Sequence, residues 1–186
     1  GLPGYLSSVA WIPSERAGVA VLTNDESATF LALTWTLMDR VLRTAQPFDF
    51  IAGYDSLRAR QQVALIDAAR QAQASRDSLS RPSLALAKYA GAYEDAWYGD
   101  IDIAQDNGGL VIRFSHSPQL VGDMIPWQHD TFLVRWRDRE LRADAYITFM
   151  LTPDGAIDHA KMVPASPEVD FSFDFQDLEL RPKGRR

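Results

Sequence analysis

The residues whose types could do chemistry are few and scattered. His129 stands beside Asp130, the pairing in which a carboxylate fixes the tautomer of an imidazole that then moves protons. Neighbours on a strand point to opposite faces, so Asp130 would not orient His129 directly, and the pair reads more simply as a turn or the start of a strand. Asp100 and Asp102 alternate and therefore share a face, where two acids hold a cation or divide acid and base roles. The simpler account makes them solvated outer-face acids, with Ile101 and Ile103 directed inward. His116 and His159 are isolated, no ligand-spaced cluster joins them, and neither a metal site nor a cofactor is expected. Trp97, Tyr98, Trp127, Phe132, Trp136, Tyr146 and Phe149 form the largest set. Either they line the mouth of an independent barrel module that binds a hydrophobic or peptide ligand, or they fill the barrel interior.

The elements that must position these residues change character along the chain. Over 26–43 the apolar residues Phe30, Leu31, Leu33, Leu37, Met38 and Val41 recur at helical spacing, which predicts an amphipathic helix capped by Asn24 or Asp25. Pro47-Phe-Asp-Phe50 breaks it and begins a connector. A second helix, rich in Ala, Gln and Arg, is predicted over 54–76 with a thin apolar stripe of Leu57, Val63, Leu65, Ile66 and Ala69. Ser78-Leu-Ser-Arg-Pro82 marks a boundary, because the residue before a proline is pushed out of helical geometry.

Beyond Pro82 the period becomes two. Strands are predicted over 89–95, 99–105, 110–115, 119–125, 131–137, 145–151, 157–163 and 171–180. The last of these is marked by the alternation of Phe171, Phe173 and Phe175 with Ser172 and Asp174. Asp106-Asn-Gly-Gly109 and Pro153-Asp-Gly155 supply tight-turn chemistry between pairs of them. Eight short strands joined by tight turns must close on themselves or leave adhesive edges. The fold class read from the chain is mainly β with α: an N-terminal β-hairpin plus helix, a linker helix, then an eight-stranded antiparallel, lipocalin-like β-barrel. The expected divisions are 1–50, 51–82 and 83–183.

The first two dozen residues carry a resemblance. Gly1, Gly4 and Tyr5, the strand Val9-Ala-Trp-Ile-Pro13 and the strand Val19-Ala-Val-Leu-Thr-Asn24 resemble the strand pair after the third active-site motif of penicillin-binding proteins and class C, S12-type serine β-lactamases. The branch resembled is the one in which a His-x-Gly sequence runs into a Gly-x-x-Gly-[Tyr/Phe] turn. Lys88-Tyr-Ala-Gly-Ala-Tyr-Glu94, Trp97-Tyr-Gly-Asp-Ile-Asp102, Trp127-Gln-His-Asp-Thr-Phe132 and Phe171-Ser-Phe-Asp-Phe175 resemble the lipocalin-like C-terminal domain appended to such hydrolases.

The resemblance implies a parent serine hydrolase acting on β-lactams, D-amino-acid peptides or simple esters, exported to the periplasm or beyond. It also implies that this chain begins just after the third motif, with Gly1, Gly4 and Tyr5 in a turn beside the active site. That chemistry needs a Ser one helical turn before a Lys, so that the amine can take the hydroxyl proton. No Ser-x-x-Lys occurs in the 186 residues. No catalytic residue is therefore placed here, and the chain alone is expected to be inactive. The expected partners are the upstream catalytic domain of the same parent chain and a second copy, self-associating through the exposed N-terminal hairpin and helix.

Composition agrees with a folded chain, at 46% hydrophobic and 24% charged residues. No apolar run reaches the length of a membrane span. The net charge of -6 and the lack of a basic patch argue against nucleic acid as a partner. Only Arg181-Pro-Lys-Gly-Arg-Arg186 is basic, and it reads as a frayed tail. The absence of cysteine excludes disulfides and thiolate ligands.

Overall fold

The computed structural model describes residues 1–2 and 4–184, and divides them into two compact units, Gly1–Ala68 and Ala69–Arg186. In the first unit, strand β1 (Leu6–Ile12) pairs antiparallel with β2 (Ala17–Thr23), and Val9 lies opposite Ala20 and Trp11 opposite Gly18. Helix α1 (Thr29–Val41) packs on one face of this pair, the face carrying Leu6, Ala10, Ile12, Val19 and Val21.

Helix α1 begins later than its apolar period predicts, and neither Asn24 nor Asp25 caps it. Ala28 occupies the cap position with no side-chain bond. The preceding loop is engaged elsewhere: Asp25 accepts from the Ser27 hydroxyl, and Glu26 accepts from the Gly4 amide at 2.7 Å. After α1, Asp39 accepts from the Thr44 hydroxyl at 3.2 Å and from the Phe48 amide at 3.2 Å, shaping the chain reversal. Helix α2 (Phe50–Ser75) starts within the expected connector because Asp49 accepts from the Ala52 amide at 2.9 Å and so supplies the N-cap. None of its residues is buried.

The second unit is an eight-stranded closed antiparallel barrel: β3 (Gly91–Asp95), β4 (Gly99–Asp106), β5 (Gly109–Phe114), β6 (Val121–Gln128), β7 (Thr131–Trp136), β8 (Ala145–Leu151), β9 (Ile157–Pro164) and β10 (Glu179–Pro182). Consecutive strands pair in order, and β10 closes the circle between β9 and β3. Asn107 and Gly108 both have positive φ, +48° and +83°, the conformation a two-residue hairpin loop demands and Asn-Gly supplies at least cost. Gly155, at φ +84°, turns β8 into β9 in the same region of backbone space.

Three expectations need correction. Tyr89 does not begin a strand; it ends a one-turn helix, α3 (Leu86–Tyr89), and its ring enters the core. The stretch 171–180 is not one strand. Two short 3-10 turns, Phe171–Phe173 and Phe175–Asp177, precede β10, and Asp174 between them is left-handed at φ +48°. The alternating phenylalanines mimic a strand's period, but the Phe175 ring is buried against Trp136, with centroids 5.9 Å apart and planes 20° from parallel. The basic tail, finally, is not frayed through Lys183. Arg181 and Pro182 pair with Glu94 and Tyr93, the Lys183 amide donates to Ala92 O at 2.8 Å, and the Lys183 ammonium lies 2.5 Å from Asp100. Arg185 and Arg186 lie outside the described residues.

Inward residues alternate with outward ones as a closed sheet requires. Ile101, Ile103, Leu110, Ile112, Phe132, Val134, Trp136, Ala145, Ile147, Ala160, Met162 and Leu180 fill the interior, with Tyr89, Tyr93 and Phe149 crossing it in edge-to-face contacts.

Candidate functional site

Hairpin, turn and barrel each carry a distinct arrangement. The face of β1 and β2 away from α1 is bare and apolar: Val9 and Leu22 are 80% exposed and Trp11 62%. Gly18 lies under the Trp11 ring, and a side chain there would meet the indole at 2.6 Å, so glycine is what lets the tryptophan lie down on the sheet. The turn before β1 is closed by two backbone bonds, Leu2 N to Tyr5 O at 2.9 Å and Tyr5 N to Leu2 O at 2.8 Å. Gly4 in that turn has φ +80°, which glycine adopts without steric cost. Its amide is the donor to Glu26. Tyr5 is exposed, and Gly1 flanks the turn. The Thr23 hydroxyl donates to Leu6 O at 2.9 Å and to Asp25 O at 3.2 Å, so the loop after β2 is tied to the start of β1.

The seven barrel aromatics do not converge on one place. Phe132, Trp136 and Phe149 are buried in the interior, and the Trp136 indole N–H donates to Ala143 O at 2.6 Å. Tyr98 is half-buried at one rim, its hydroxyl donating to Phe173 O at 2.9 Å. Trp97, at the tip of the β3–β4 turn, is 85% exposed. Trp127 and Tyr146 lie against each other with centroids 5.1 Å apart, and the Arg76 guanidinium sits 4.8 Å above the Trp127 ring. Outward-facing Ile125, Leu133, Tyr146 and Val163 lie directly opposite one another across β6, β7, β8 and β9, an apolar row on the barrel's outside.

His129 and Asp130 occupy the β6–β7 turn, with His129 left-handed at φ +47°. They act on different partners. Ser80 meets His129, its hydroxyl 3.1 Å from Nδ1 and accepting from the His129 amide at 2.5 Å. Asp130 accepts from the Ser83 amide at 2.8 Å, the Ser83 hydroxyl at 2.8 Å and the Tyr89 hydroxyl. Burial pushes the Asp130 carboxyl up. The bonds from Tyr89 and Ser83, with the nearby His129 charge, outweigh that and hold it below its ordinary value. Burial, then the bond to Asp130, drives the Tyr89 phenol above its ordinary value. Arg76 donates to Trp127 O at 2.6 Å and Pro126 O at 3.1 Å, and the Asp77 amide to Gln128 Oε1 at 3.1 Å. Residues 76–83 thus form a strap fastened along 126–130.

At the opposite rim Asp95 is buried and accepts from the Trp97 and Tyr98 amides at 2.8 and 2.9 Å and from the Glu179 amide at 2.8 Å. It ties the β3–β4 turn to the closing strand. Sequence reasoning passed over it, although an aspartate two residues before a turn tip is the residue type that caps turn amides. Asp100 and Asp102 face outward as the simpler account has it, with Ile101 and Ile103 buried inside. Lys183 pairs with Asp100 and with Glu94 at 3.8 Å, and Arg113 approaches Asp102 at 3.9 Å. Among the described residues, no group of three or more His, Asp or Glu is placed to hold a metal ion, and no helix is long and apolar enough to cross a membrane.

This barrel, with the strap that precedes it, coincides with a known domain: residues 75–182, more than half of the chain, match the domain of unknown function DUF3471. The chain belongs to this family. DUF3471 is found at the C-terminus of β-lactamase-like proteins. The chain is also similar to the crystal structure of the C-terminal domain of penicillin binding protein Rv0907, at 18% identity over 59% of this chain and 94% of that one, with a TM-score of 0.41. No curated protein matches it. In DUF3471 terms the strap opens the domain and β10 closes it, and the hairpin, α1 and most of α2 precede it.

Proposed function

We propose that these residues are the C-terminal accessory region of a β-lactamase-like serine hydrolase of peptidase, esterase or β-lactamase type. In this reading the region shapes access to, or assembly of, an active site whose nucleophile belongs to the upstream catalytic domain of the same parent chain. The observation that carries the reading is the one-sided packing of the hairpin. One face of β1 and β2 is covered by α1, while Val9, Trp11 and Leu22 lie bare on the other, the pattern of the margin of a larger sheet. Membership in a family that occurs at the C-terminus of β-lactamase-like proteins supports it.

The turn containing Gly1, Gly4 and Tyr5 then adjoins the active site. Tyr89, Phe132, Trp136 and Phe149 occupy the interior volume that a ligand-carrying barrel needs, so the barrel's part in this reading is accessory. The test is acylation by a fluorescent penicillin and by a fluorophosphonate probe, applied to this chain and to a version extended upstream through the Ser-x-x-Lys. Labelling of the extended protein alone is the expected result. Labelling of the 186-residue chain, or of neither protein, overturns the proposal.

A further inference from the structure

The geometry points to Glu26 as a positioning residue for the turn beside the active site, an inference that rests on the reading just given. The turn's two closing bonds use the backbone groups of Leu2 and Tyr5 alone, so they leave the Gly4 N–H outside the turn. The Glu26 carboxylate takes that donor at 2.7 Å from 22 residues away. A charge-assisted bond of this kind is among the stronger ones a backbone amide makes. The loop that presents Glu26 is itself held, because the Thr23 hydroxyl bridges Leu6 O and Asp25 O. Thr23 is also the register partner of Leu6, the first residue of β1. The turn before β1 and the loop after β2 are therefore one clamped unit. Gly4, at φ +80°, is the residue type freest to move, so local sterics do not fix the turn and the clamp is what holds it. In the parent enzyme the clamp sets where the backbone entering β1 lies, and a displacement there of about 1 Å is enough to change a rate.

Two measurements test this. In the 186-residue chain labelled with 15N-glycine, the Gly4 amide proton is expected to move upfield in Glu26→Ala and to stay near its place in Glu26→Gln, which keeps an acceptor. In the upstream-extended protein, Glu26→Ala is expected to slow acylation by the fluorescent penicillin about tenfold, with the probe's apparent affinity and the melting temperature unchanged. Glu26→Gln is expected to restore most of the rate. A general structural defect would lower the melting temperature and affect affinity and rate together, with no rescue by glutamine, and that result overturns the inference. A Gly4 amide that ignores Glu26→Ala overturns the clamp itself. A Gly4 amide that moves while acylation does not change leaves the clamp standing and removes its role. If the wild-type extended protein is not labelled, the hydrolase reading falls and Glu26's positioning role falls with it, whereas the glycine spectrum still reports whether the clamp forms.

Discussion

The hydroxyl of Tyr89 donates to the carboxylate of Asp130, 41 residues further along the chain, and the same carboxylate holds both the amide and the hydroxyl of Ser83. The segment that leads into the barrel is thereby fastened to the β6–β7 turn. Tyr89 in turn accepts the Leu84 amide at 3.2 Å, and the Tyr93 hydroxyl donates to Tyr89 O at 2.8 Å.

The fastening makes stability depend on pH at both ends. Asp130 is held below its ordinary pKa, so its contribution is present above the unfolded value, near ~4, and is lost as pH falls through the folded one. Tyr89 is raised, and burial pushes Tyr93 up to about 12. Their contribution is complete below the unfolded value, near ~10, and is lost as pH rises towards the folded ones. The melting temperature is expected to be flat between these limits and to fall outside them. Asp130→Ala is expected to cost about 2–3 kcal/mol at neutral pH and Tyr89→Phe about 1–2 kcal/mol, because the first strands three donors and the second removes two bonds, the one to Asp130 and the one from the Leu84 amide. Chemical denaturation of the variants checks this, and an Asp130→Ala barrel as stable as wild type would refute the fastening.

The interior is packed closely enough that one added carbon should be felt. A side chain at Gly122 would meet Val134 at 2.6 Å and Trp136 at 2.8 Å. Gly122→Ala is expected to cost about 1–3 kcal/mol through overpacking, and Trp136→Ala about 3–5 kcal/mol through the cavity and the lost bond to Ala143. Their effects should not add, since a smaller residue at 136 makes room for the new methyl group. A double-mutant cycle in urea gives the coupling, and strict additivity would show that the two sites do not share this space.

The bare face of the hairpin should make the 186-residue chain self-associate. Val9, Trp11 and Leu22 place three large apolar side chains in water on one two-stranded sheet, beside strand edges with unpaired backbone groups. Light scattering across micromolar concentrations is expected to show dimers that dissociate on dilution. Val9→Lys combined with Leu22→Lys should give monomers with an unchanged barrel melting transition. A wild-type chain that stays monomeric throughout this range would refute the expectation.

What the chain determines by itself is local. The alternation of Asp100 and Asp102 with Ile101 and Ile103 is enough to assign inside and outside on β4. Asn107-Gly108 is enough to place a two-residue hairpin, because so few residues tolerate positive φ there. Those regularities recur through the seven strands of 91–164, and with the eighth strand read over 171–180 they predict a closed sheet, since an open one leaves edges unpaired. What only the tertiary structure decided involves partners far apart in sequence or competition for a local group. Asp95 and Glu179 lie 84 residues apart, and nothing near either one announces the bond that closes the barrel. Phe173 and Phe175 show the period of a strand, yet they lie in 3-10 turns, with Phe173 stacked on Phe175 and Phe175 on the buried Trp136. Asp25 and Glu26 are acids placed to start a helix, but a serine hydroxyl and the Gly4 amide engage them first, so α1 begins at Thr29. Propensity and period are sums over neighbours in the chain. The final choice at these positions went to whichever distant group could satisfy a polar atom or cover a ring, and that is settled only when the barrel and the hairpin have formed.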